Sequence, residues 1–169
     1  MLFVCTGNIC RSPLGERLLR VRLNDPNFEV ASAGVMAMTG EGMDPEAAAQ
    51  LEMLGGDSTG FVARQMTEDM LKHSDLILTA TRGHRQRTLE ERPAGLNRTF
   101  TVLEFAELLG VAHGSTPAEL ISSAARQRSR MALPDVDIPD PYGRGEVVHA
   151  EAAQLISDAV DKIAAALAR

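Results

Sequence analysis

Short apolar runs alternate with longer amphipathic segments along this chain of 169 residues. Apolar runs bounded by turn residues are typical of buried strands, and apolar residues spaced three and four apart are typical of helices. Strand and helix alternation of this kind predicts an α/β fold: a single-domain three-layer sandwich whose central, parallel four-stranded sheet carries helices on both faces. The predicted strands lie at 1–5, 28–33, 75–80 and 98–102, and the predicted helices at 13–24, 45–55, 67–73, 82–91, 103–110, 117–130 and 146–168.

Two dipeptides predict helix starts within this pattern. Asp44-Pro45 and Thr116-Pro117 each place a good N-cap residue before a proline that suits the first helical position. The first predicted helix also has an apolar side, which we interpret as core rather than as a functional surface. The residues expected to be buried there are Leu14, Leu18, Leu19 and Val21.

The loop between the first strand and the first helix carries the most informative residues. Residues 5 to 13 read C-T-G-N-I-C-R-S-P. Gly7 and Asn8 tolerate backbone angles that let successive N–H groups point at one anion. Ser12 is a good N-cap and Pro13 suits the first helical position, so the positive end of the helix faces the same concavity. The loop therefore predicts a cradle for a phosphoryl group or a similar oxyanion.

Cys5 and Arg11 supply the candidate chemistry of this cradle. A helix N-terminus and a guanidinium beside Cys5 favour the thiolate, which is the nucleophilic form of cysteine. Arg11 follows six residues later, and its planar fork can hold two phosphoryl oxygens. The alternative interpretation is a buried strand cysteine followed by an ordinary surface helix. We favour a phosphatase loop because the strand, the Gly-Asn turn and the helix start are all present around Cys5 and Arg11.

This loop resembles the signature loop of the low-molecular-weight protein tyrosine phosphatase family, including its second cysteine, here Cys10. The segment from Asp140 to Gly143, read D-P-Y-G, resembles the part of that family that bears the general acid. The resemblance covers most of residues 1–90 and about 137–165. Further similar segments are Ser32 to Gly34, Val62 to Gln65 and Ser74 to Leu78.

The resemblance implies a reaction in two chemical steps. Cys5 attacks phosphorus to form a phosphocysteine, while Arg11 and the backbone N–H groups of residues 6–11 hold the phosphoryl oxygens. Water then hydrolyses the phosphocysteine. The residues expected to contact the substrate are Thr6, Gly7, Asn8, Ile9, Cys10, Ser12 and Tyr142.

Asp140 is the candidate general acid and base of these steps. Its carboxyl group would give a proton to the leaving oxygen and later accept one from the attacking water. Pro139 and Pro141 restrict the backbone on both sides, which suits a loop that must aim one carboxylate into a pocket. Asp135 and Asp137 are near enough in sequence to be rivals, and the resemblance favours Asp140.

Other residues of the loop region are assigned supporting roles. Ser12 can donate a hydrogen bond to the thiolate, and Ser32 occupies the position of a supporting serine of the family. Phe61 stands where many members carry a histidine that supports the loop, so that part of the network must be rebuilt. Cys10 has a packing role and a predicted redox role, in which it forms a reversible disulfide with Cys5 after oxidation.

The expected substrate is phosphotyrosine in a protein, or a small aryl phosphate. The ring of Tyr142 can line a pocket for an aromatic leaving group, and phosphate-like or sulfate-like anions are the expected ligands of the cradle. Phosphoarginine phosphatases of the same scaffold tend to carry a threonine where this chain has the apolar Ile9, which favours an aryl phosphate. An aromatic residue common on the opposite wall of the pocket is missing near Met36 and Met38, although methionine can still contact a ring edge.

Three different functions stay open beside this one. A phosphoarginine phosphatase is the nearest of them. An arsenate reductase would need an external small thiol, because the chain has no cysteine after Cys10. A phosphoanion-binding module without catalysis is the non-enzymatic alternative.

Composition argues against several further classes of protein. A net charge of −6 argues against nucleic acid as a partner, and no apolar run approaches the length of a membrane span or a signal peptide. Two cysteines five positions apart are typical of a reducing compartment, so we expect a cytoplasmic protein. The four histidines are scattered in sequence, which predicts neither a metal site nor a cofactor. Residues 93–134 look longer than in most members of the family. We interpret this segment as extra helical packing within a single domain over 1–169 rather than as a helical lid or a partner surface.

Overall fold

The computed structural model describes residues 1–131, 133 and 136–168. Its centre is one sheet of four parallel strands in the order β2-β1-β3-β4. The strands are β1 (Leu2–Cys5), β2 (Ala31–Gly34), β3 (Ile77–Thr79) and β4 (Thr99–Thr101). The predicted α/β class with a parallel four-stranded sheet is confirmed.

Helices α1 to α4 connect successive strands, as parallel pairing requires, and α5 to α7 follow the last strand. A 3₁₀ turn at Pro93–Arg98 completes the connection from α4 to β4. A second 3₁₀ turn, at Arg128–Arg130, forms the end of the helix predicted at 117–130. In the described residues, no helix is both long enough and apolar enough to cross a membrane. The helices are α1 (Arg11–Leu23), α2 (Pro45–Met53), α3 (Glu68–His73), α4 (Arg82–Glu91), α5 (Val102–Leu108), α6 (Pro117–Gln127) and α7 (Glu146–Leu167).

The second strand differs most from its prediction. The apolar pattern predicts a strand at 28–33, but pairing begins at Ala31, opposite Leu2, and continues to Gly34, opposite Cys5. A strand exists only where it has a partner, and β1 offers none beyond Leu2. Val30 is nevertheless buried. The apolar pattern therefore predicted the burial of this segment correctly, but not which of its residues pair with β1.

The first helix starts earlier than predicted. Its first residue is Arg11 and its N-cap is Cys10, so the predictions of Ser12 as N-cap and Pro13 as first helical residue are wrong. The hydroxyl of Ser12 instead contacts the anion loop. Of the four expected core residues, Val21 is 47% exposed, because the buried face runs from Leu18 and Leu19 to Leu23 instead.

The segment 93–134 packs at two places. The guanidinium of Arg128 lies 4.1 Å from the centre of the Phe100 ring and donates a hydrogen bond of 2.6 Å to the carbonyl of Thr99. Helix α6, in contrast, lines a cavity of about 370 Å³ together with Met1 and Leu76, at the amino-terminal ends of the strands. Helix α6 therefore lies at the amino-terminal ends of the strands, whereas Cys5 lies at a carboxyl end. The role of the segment 93–134 and the extent of the single domain over 1–169 stay predictions.

Tight packing between α1 and β1 generates a stability prediction. A Cβ atom at Gly15 would lie 2.6 Å from Cδ1 of the buried Phe3 ring. Gly15→Ala should therefore destabilise the fold by roughly 1–3 kcal/mol, despite the better helix propensity of alanine. Urea unfolding followed by circular dichroism measures this change.

Gly83→Ala is the matched control. Gly83 is also helical, and its added Cβ would meet only the Thr81 hydroxyl, at an ordinary 3.6 Å. This variant should be unchanged or more stable by about 0.5–1 kcal/mol. An equal effect of the two substitutions would contradict the proposed contact between α1 and β1.

Candidate active site

The anion loop lies at the carboxyl edge of the central strand β1, where ligands bind in open α/β sheets. Cys5 ends that strand, and Arg11 begins the following helix. Asn8 has φ +56°, so the predicted left-handed turn is present at this residue. Gly7 does not have positive φ, and the expectation for it is wrong. Its missing side chain instead leaves room against Ile9 and Met38, which a Cβ would approach within 3.5 and 3.7 Å.

The loop turns its carbonyl groups away from its own centre. The carbonyl oxygens of Cys5, Thr6 and Gly7 accept hydrogen bonds from the segment that follows β2, and the carbonyl of Ile9 accepts one from the start of α2. Among the described residues, the backbone N–H groups of residues 6–10 donate to no protein group. Several N–H donors are thereby left free to bind one anion. The four donors to these carbonyls are the N–H groups of Val35, Met36, Met38 and Asp44, at 2.9, 3.0, 2.9 and 2.9 Å.

The side chain of Asn8 holds the loop to its surroundings. It is fully buried, and its amide nitrogen donates to the hydroxyls of Ser12 and Ser32, at 2.9 Å each. Its carbonyl oxygen accepts the backbone N–H of Arg64 at 2.9 Å. One side chain therefore joins the loop to α1, to β2 and to the segment before α3.

Ser12 connects this network to the sulfur of Cys5. The Ser12 hydroxyl lies 3.0 Å from Cys5 Sγ, and it accepts a hydrogen bond from Asn8. Because the amide of Asn8 donates to the Ser12 hydroxyl, the hydroxyl can give its own hydrogen to the sulfur at 3.0 Å, which is nearer than the alternative acceptor, the Ala33 carbonyl at 3.5 Å. A donor at this position stabilises a thiolate.

Arg11 is buried beside the loop with its guanidinium directed at Asp140. Its Nη1 donates to the carbonyl of Ile138 at 3.1 Å, and its Nη2 lies 2.9 Å from Asp140 Oδ2. Its Nε makes no hydrogen bond to the described residues. An unpaired buried donor is costly, so this nitrogen is suited to a ligand oxygen.

The structure separates two of the three candidate acids. The side chain of Asp140 is 53% exposed and faces Arg11. Asp137 points elsewhere: its carboxylate accepts the backbone N–H of Arg82 at 2.7 Å and pairs with that guanidinium at 3.2 Å. Asp135 lies outside the described residues.

The loop and these side chains enclose a pocket of about 170 Å³. Its floor is buried, whereas its rim is exposed: Tyr142, Met36 and Met38 are 54%, 74% and 41% exposed. Asn8 and Ser12, predicted to contact the substrate, support the loop and do not line the pocket. The lining residues are Cys5, Thr6, Gly7, Ile9, Cys10, Arg11, Met36, Met38, Asp140 and Tyr142.

Ser32 and Phe61 support the loop from two sides. Ser32 donates to the buried carboxylate of Glu16 at 2.5 Å, and Arg20 pairs with the other oxygen of that carboxylate at 2.8 Å. Phe61 packs in an apolar cluster with Ile9 and Cys10. The histidine expected from the family pattern is thus replaced by apolar packing.

His84 lies behind Thr6, which lines the pocket, and the sequence interpretation missed this contact. Its Nε2 lies 2.8 Å from the hydroxyl of Thr6, and its Nδ1 lies 2.8 Å from the hydroxyl of Thr81. Burial, followed by the nearby positive charge of Arg11, lowers the pKa of His84 to about 4. The ring is therefore neutral near pH 7 and positions Thr6 without adding charge to the pocket.

His149 also contradicts the interpretation of scattered histidines. Its imidazole is buried and lies near the thiol of Cys10 and the carboxylate of Asp44, from distant parts of the sequence. His73 and His113 are exposed, as expected.

A parallel sheet with a cysteine and an arginine in an anion loop at its carboxyl edge defines the class of cysteine-dependent phosphatases. The sequence model of one family, described as low molecular weight phosphotyrosine protein phosphatase, matches residues 1–118. The chain belongs to this family.

Individual relatives agree with this assignment. The probable low molecular weight protein-tyrosine-phosphatase EpsP of Ralstonia nicotianae is 30% identical over 161 residues, which cover 95% of this chain and 90% of EpsP. The probable phosphatase AmsI of Erwinia amylovora is 46% identical over 84 residues, or 50% of this chain and 57% of that relative. The alignment with AmsI thus spans little more than half of that protein.

Solved structures extend the likeness to nearly the whole chain. The crystal structure of the AmsI tyrosine phosphatase is similar with a TM-score of 0.75 and 30% identity, covering 99% of this chain and 92% of AmsI. The YwlE arginine phosphatase of Geobacillus stearothermophilus is similar with a TM-score of 0.75 and 28% identity, covering 97% of this chain and 89% of YwlE.

The buried state of His84 generates a prediction on pH. An unfolded histidine has a pKa near 6.5, whereas that of His84 in the fold is lowered to about 4. Between these values the unfolded chain binds more protons, so the contribution of His84 to stability is full above about pH 6.5 and is lost as the pH falls toward 4. His84→Gln should flatten this part of the stability profile.

Urea unfolding at several pH values measures this difference, and NMR of the ring protons reports the pKa of His84 directly. His73→Gln, at an exposed histidine, is the control and should leave the profile unchanged. A ring of His84 that titrates near 6.5 would contradict the prediction.

Proposed function

We propose that the protein is a metal-independent phosphatase that hydrolyses phosphotyrosine and other aryl phosphate monoesters through a phosphocysteine intermediate. The observation that carries this proposal is the shared pocket: Cys5, Arg11 and Asp140 line one cavity of about 170 Å³. This pocket provides a nucleophile, an anion cradle and a proton donor at the same point. Membership of the phosphotyrosine phosphatase family supports the same activity.

In the first step, Cys5 attacks phosphorus in line with the leaving oxygen. The free N–H groups of the loop and the guanidinium of Arg11 bind the three equatorial phosphoryl oxygens, over which negative charge spreads in the transition state. These donors are already oriented before the substrate arrives, because the outward carbonyls and Asn8 fix the loop. Preoriented donors stabilise developing charge without reorganisation during the reaction.

Asp140 protonates the leaving oxygen in the same step. In the resting protein its carboxylate pairs with Arg11 at 2.9 Å. A phosphoryl group that binds the guanidinium of Arg11 separates Asp140 from its positive partner and brings a negative charge near it. Both changes favour the neutral carboxyl group of Asp140. Substrate binding therefore prepares the acid. After the leaving group departs, the same carboxylate activates the water that hydrolyses the phosphocysteine.

The composition of the pocket favours an aryl leaving group. Ile9, Met36, Met38 and Tyr142 offer apolar contacts to a ring, and the flexible methionines adapt to its edge. Asp140 is the only acidic residue among the described lining residues, so a cationic guanidinium leaving group finds little electrostatic complement besides it. Phosphoarginine is the second candidate substrate, because the structure of the YwlE arginine phosphatase has the same TM-score of 0.75 as that of AmsI.

Arsenate reduction and anion binding without catalysis are less well supported. Arsenate reduction through a cysteine relay would need a further cysteine, and the chain has only Cys5 and Cys10. A binding module without catalysis would not need an acid that faces the cradle. We propose a cytoplasmic location, since the mechanism requires Cys5 to stay reduced.

Substrate turnover with Cys5→Ser tests the function. The parent should hydrolyse phosphotyrosine peptides and small aryl phosphates after treatment with a chelator, and with a higher kcat/KM than for phosphoarginine or phosphoserine peptides. Cys5→Ser should still bind phosphate but lose turnover, because no base beside the hydroxyl can activate it. Phosphate release and isothermal titration with phosphate measure the two properties.

Two results would contradict this proposal. Substantial turnover by Cys5→Ser would exclude Cys5 as nucleophile. A kcat/KM that is highest for phosphoarginine would reverse the order of the two candidate substrates.

The role of Asp140 is tested through the leaving group. Asp140→Ala should slow aryl phosphate turnover by roughly 10²–10⁴, and the loss should shrink for leaving groups that are acidic enough to depart without a proton. Asp137→Ala is the matched control, since Asp137 binds Arg82 instead of facing the cradle. The assignment would be wrong if Asp137→Ala showed this dependence on the leaving group and Asp140→Ala did not.

Cys10 is predicted to protect Cys5 from irreversible oxidation. Peroxide converts Cys5 to a sulfenic acid, and the Cys10 thiol then displaces water to form a disulfide. Both cysteines are free, not joined by a disulfide, in the structure. Peroxide should thus inactivate the parent reversibly and Cys10→Ser irreversibly, as measured by activity before and after a reductant. Equal recovery of both proteins, with no disulfide in the mass spectrum, would leave Cys10 with packing alone.

A further inference from the structure

Three potential metal ligands meet beside the anion loop, outside the proposed mechanism. The thiol of Cys10, a carboxylate oxygen of Asp44 and an imidazole nitrogen of His149 all lie within 4.8 Å of one another. Cys10 and His149 are 5% and 3% exposed. Thiolate, imidazole and carboxylate together are a donor set typical of zinc sites.

A second observation points to a ligand at this cluster. His149 Nε2 is buried, and it makes no hydrogen bond to the described residues. Asp44 Oδ1 and Glu46 Oε2 lie 3.6 and 3.2 Å away, but neither contact has hydrogen-bond geometry. A buried nitrogen without a partner is costly, and a bound cation would satisfy it.

Rigid elements present the three ligands. Cys10 is the N-cap of α1, Asp44 is the N-cap of α2, and His149 lies in the first turn of α7. Asp44 uses Oδ1 to accept the N–H groups of Glu46 and Ala47, at 3.0 and 3.2 Å. The same oxygen lies 3.6 Å from His149 Nε2, and the carboxylate has further lone pairs, those of Oδ2 included, with which to bind a cation while α2 stays capped.

The distances suit a small tetrahedral ion. Ligand atoms at about 2.0–2.3 Å from one zinc ion lie roughly 3.3–3.8 Å from each other. The His149 nitrogen and the Asp44 oxygen, 3.6 Å apart, are already at such a separation. The separations to the Cys10 sulfur are below 4.8 Å and need a shift of at most roughly 1 Å. The half-exposed carboxylate of Glu46 can reach the same point from the solvent side.

We propose that Cys10, Asp44 and His149 form a binding site for Zn²⁺ or a similar divalent cation that prefers sulfur and nitrogen ligands, with Glu46 or water as fourth ligand. On binding, the S–H bond of Cys10 breaks, its proton goes to the buffer, and the thiolate donates its electron pair to the ion. No oxidation or reduction is involved. The inference does not rest on the proposed function, because none of its steps uses this cation.

Cobalt and zinc binding to the intact protein test the site. Co²⁺ bound to a thiolate gives a sulfur-to-metal charge-transfer band, so the absorption spectrum reports the ligand as well as the binding. The reduced, chelator-treated parent should bind one equivalent of Co²⁺ with this band, and Zn²⁺ should displace it. Cys10→Ser should lose the band.

Two further variants probe the remaining ligands. His149→Phe fills the buried volume, and Asp44→Asn keeps an amide oxygen that can cap α2. Each should weaken Zn²⁺ binding at least tenfold, as measured by competition with a chromogenic chelator, while thermal unfolding verifies that each is folded. His113→Phe, at an exposed histidine, is the control and should bind Zn²⁺ like the parent.

Cys5→Ser distinguishes the site from the catalytic thiolate. The band should persist in this variant. Loss of the band in Cys5→Ser with retention in Cys10→Ser would overturn the proposal, because the cation would then sit in the catalytic pocket. Unchanged Zn²⁺ affinity in folded His149→Phe and Asp44→Asn would overturn it as well, leaving the cluster as an ordinary buried contact between helices.

Discussion

The hydrogen bonds of one buried amide, that of Asn8, fix the shape of the anion loop. Asn8 combines a left-handed backbone with complete burial, and its side chain bonds to α1, to β2 and to the backbone of Arg64. A buried amide that loses one partner costs about 1–3 kcal/mol, so the three elements and the loop hold each other in a single arrangement. The outward carbonyls, the free N–H groups and the position of the Ser12 hydroxyl all follow from that arrangement.

The same constraint gives the pocket a positive potential suited to a doubly charged group, as the proposed mechanism requires. Positive potential comes from the N-terminus of α1, from free backbone N–H groups and from Arg11. Asp140 balances Arg11 in the resting protein at 2.9 Å, and His84 stays neutral. Among the described lining residues, Arg11 is therefore the one positive side chain, and its partner Asp140 can leave it when a phosphoryl group arrives.

Sequence reasoning succeeded where the physics is local. The strand, the turn at Asn8 and the arginine lie within a few residues of Cys5, and the N-caps at Asp44 and Thr116 depend only on neighbouring residues. It failed where contacts join distant segments. His84 follows Thr6 by 78 residues, and no local pattern links them. The helix start at Arg11 was also missed, because Ser12 uses its hydroxyl on Cys5 instead of on the helix end. Glu16 is a signal that sequence reasoning could have used. It is an acidic residue on the apolar side of α1, one turn before Arg20, and a buried carboxylate needs a partner. This position therefore predicts a buried polar network behind the loop.

The pocket changes in character from its floor to its rim. The floor is buried and held by Asn8, Ser12 and Arg11, whereas Met36, Met38 and Tyr142 are exposed at the rim. A fixed floor suits the phosphoryl group, because the charge of the transition state has the same geometry in every substrate. Flexible methionines suit leaving groups of different shape. Changes at the rim should therefore alter the choice of leaving group, while changes to the Asn8 network should lower the rate for all substrates alike.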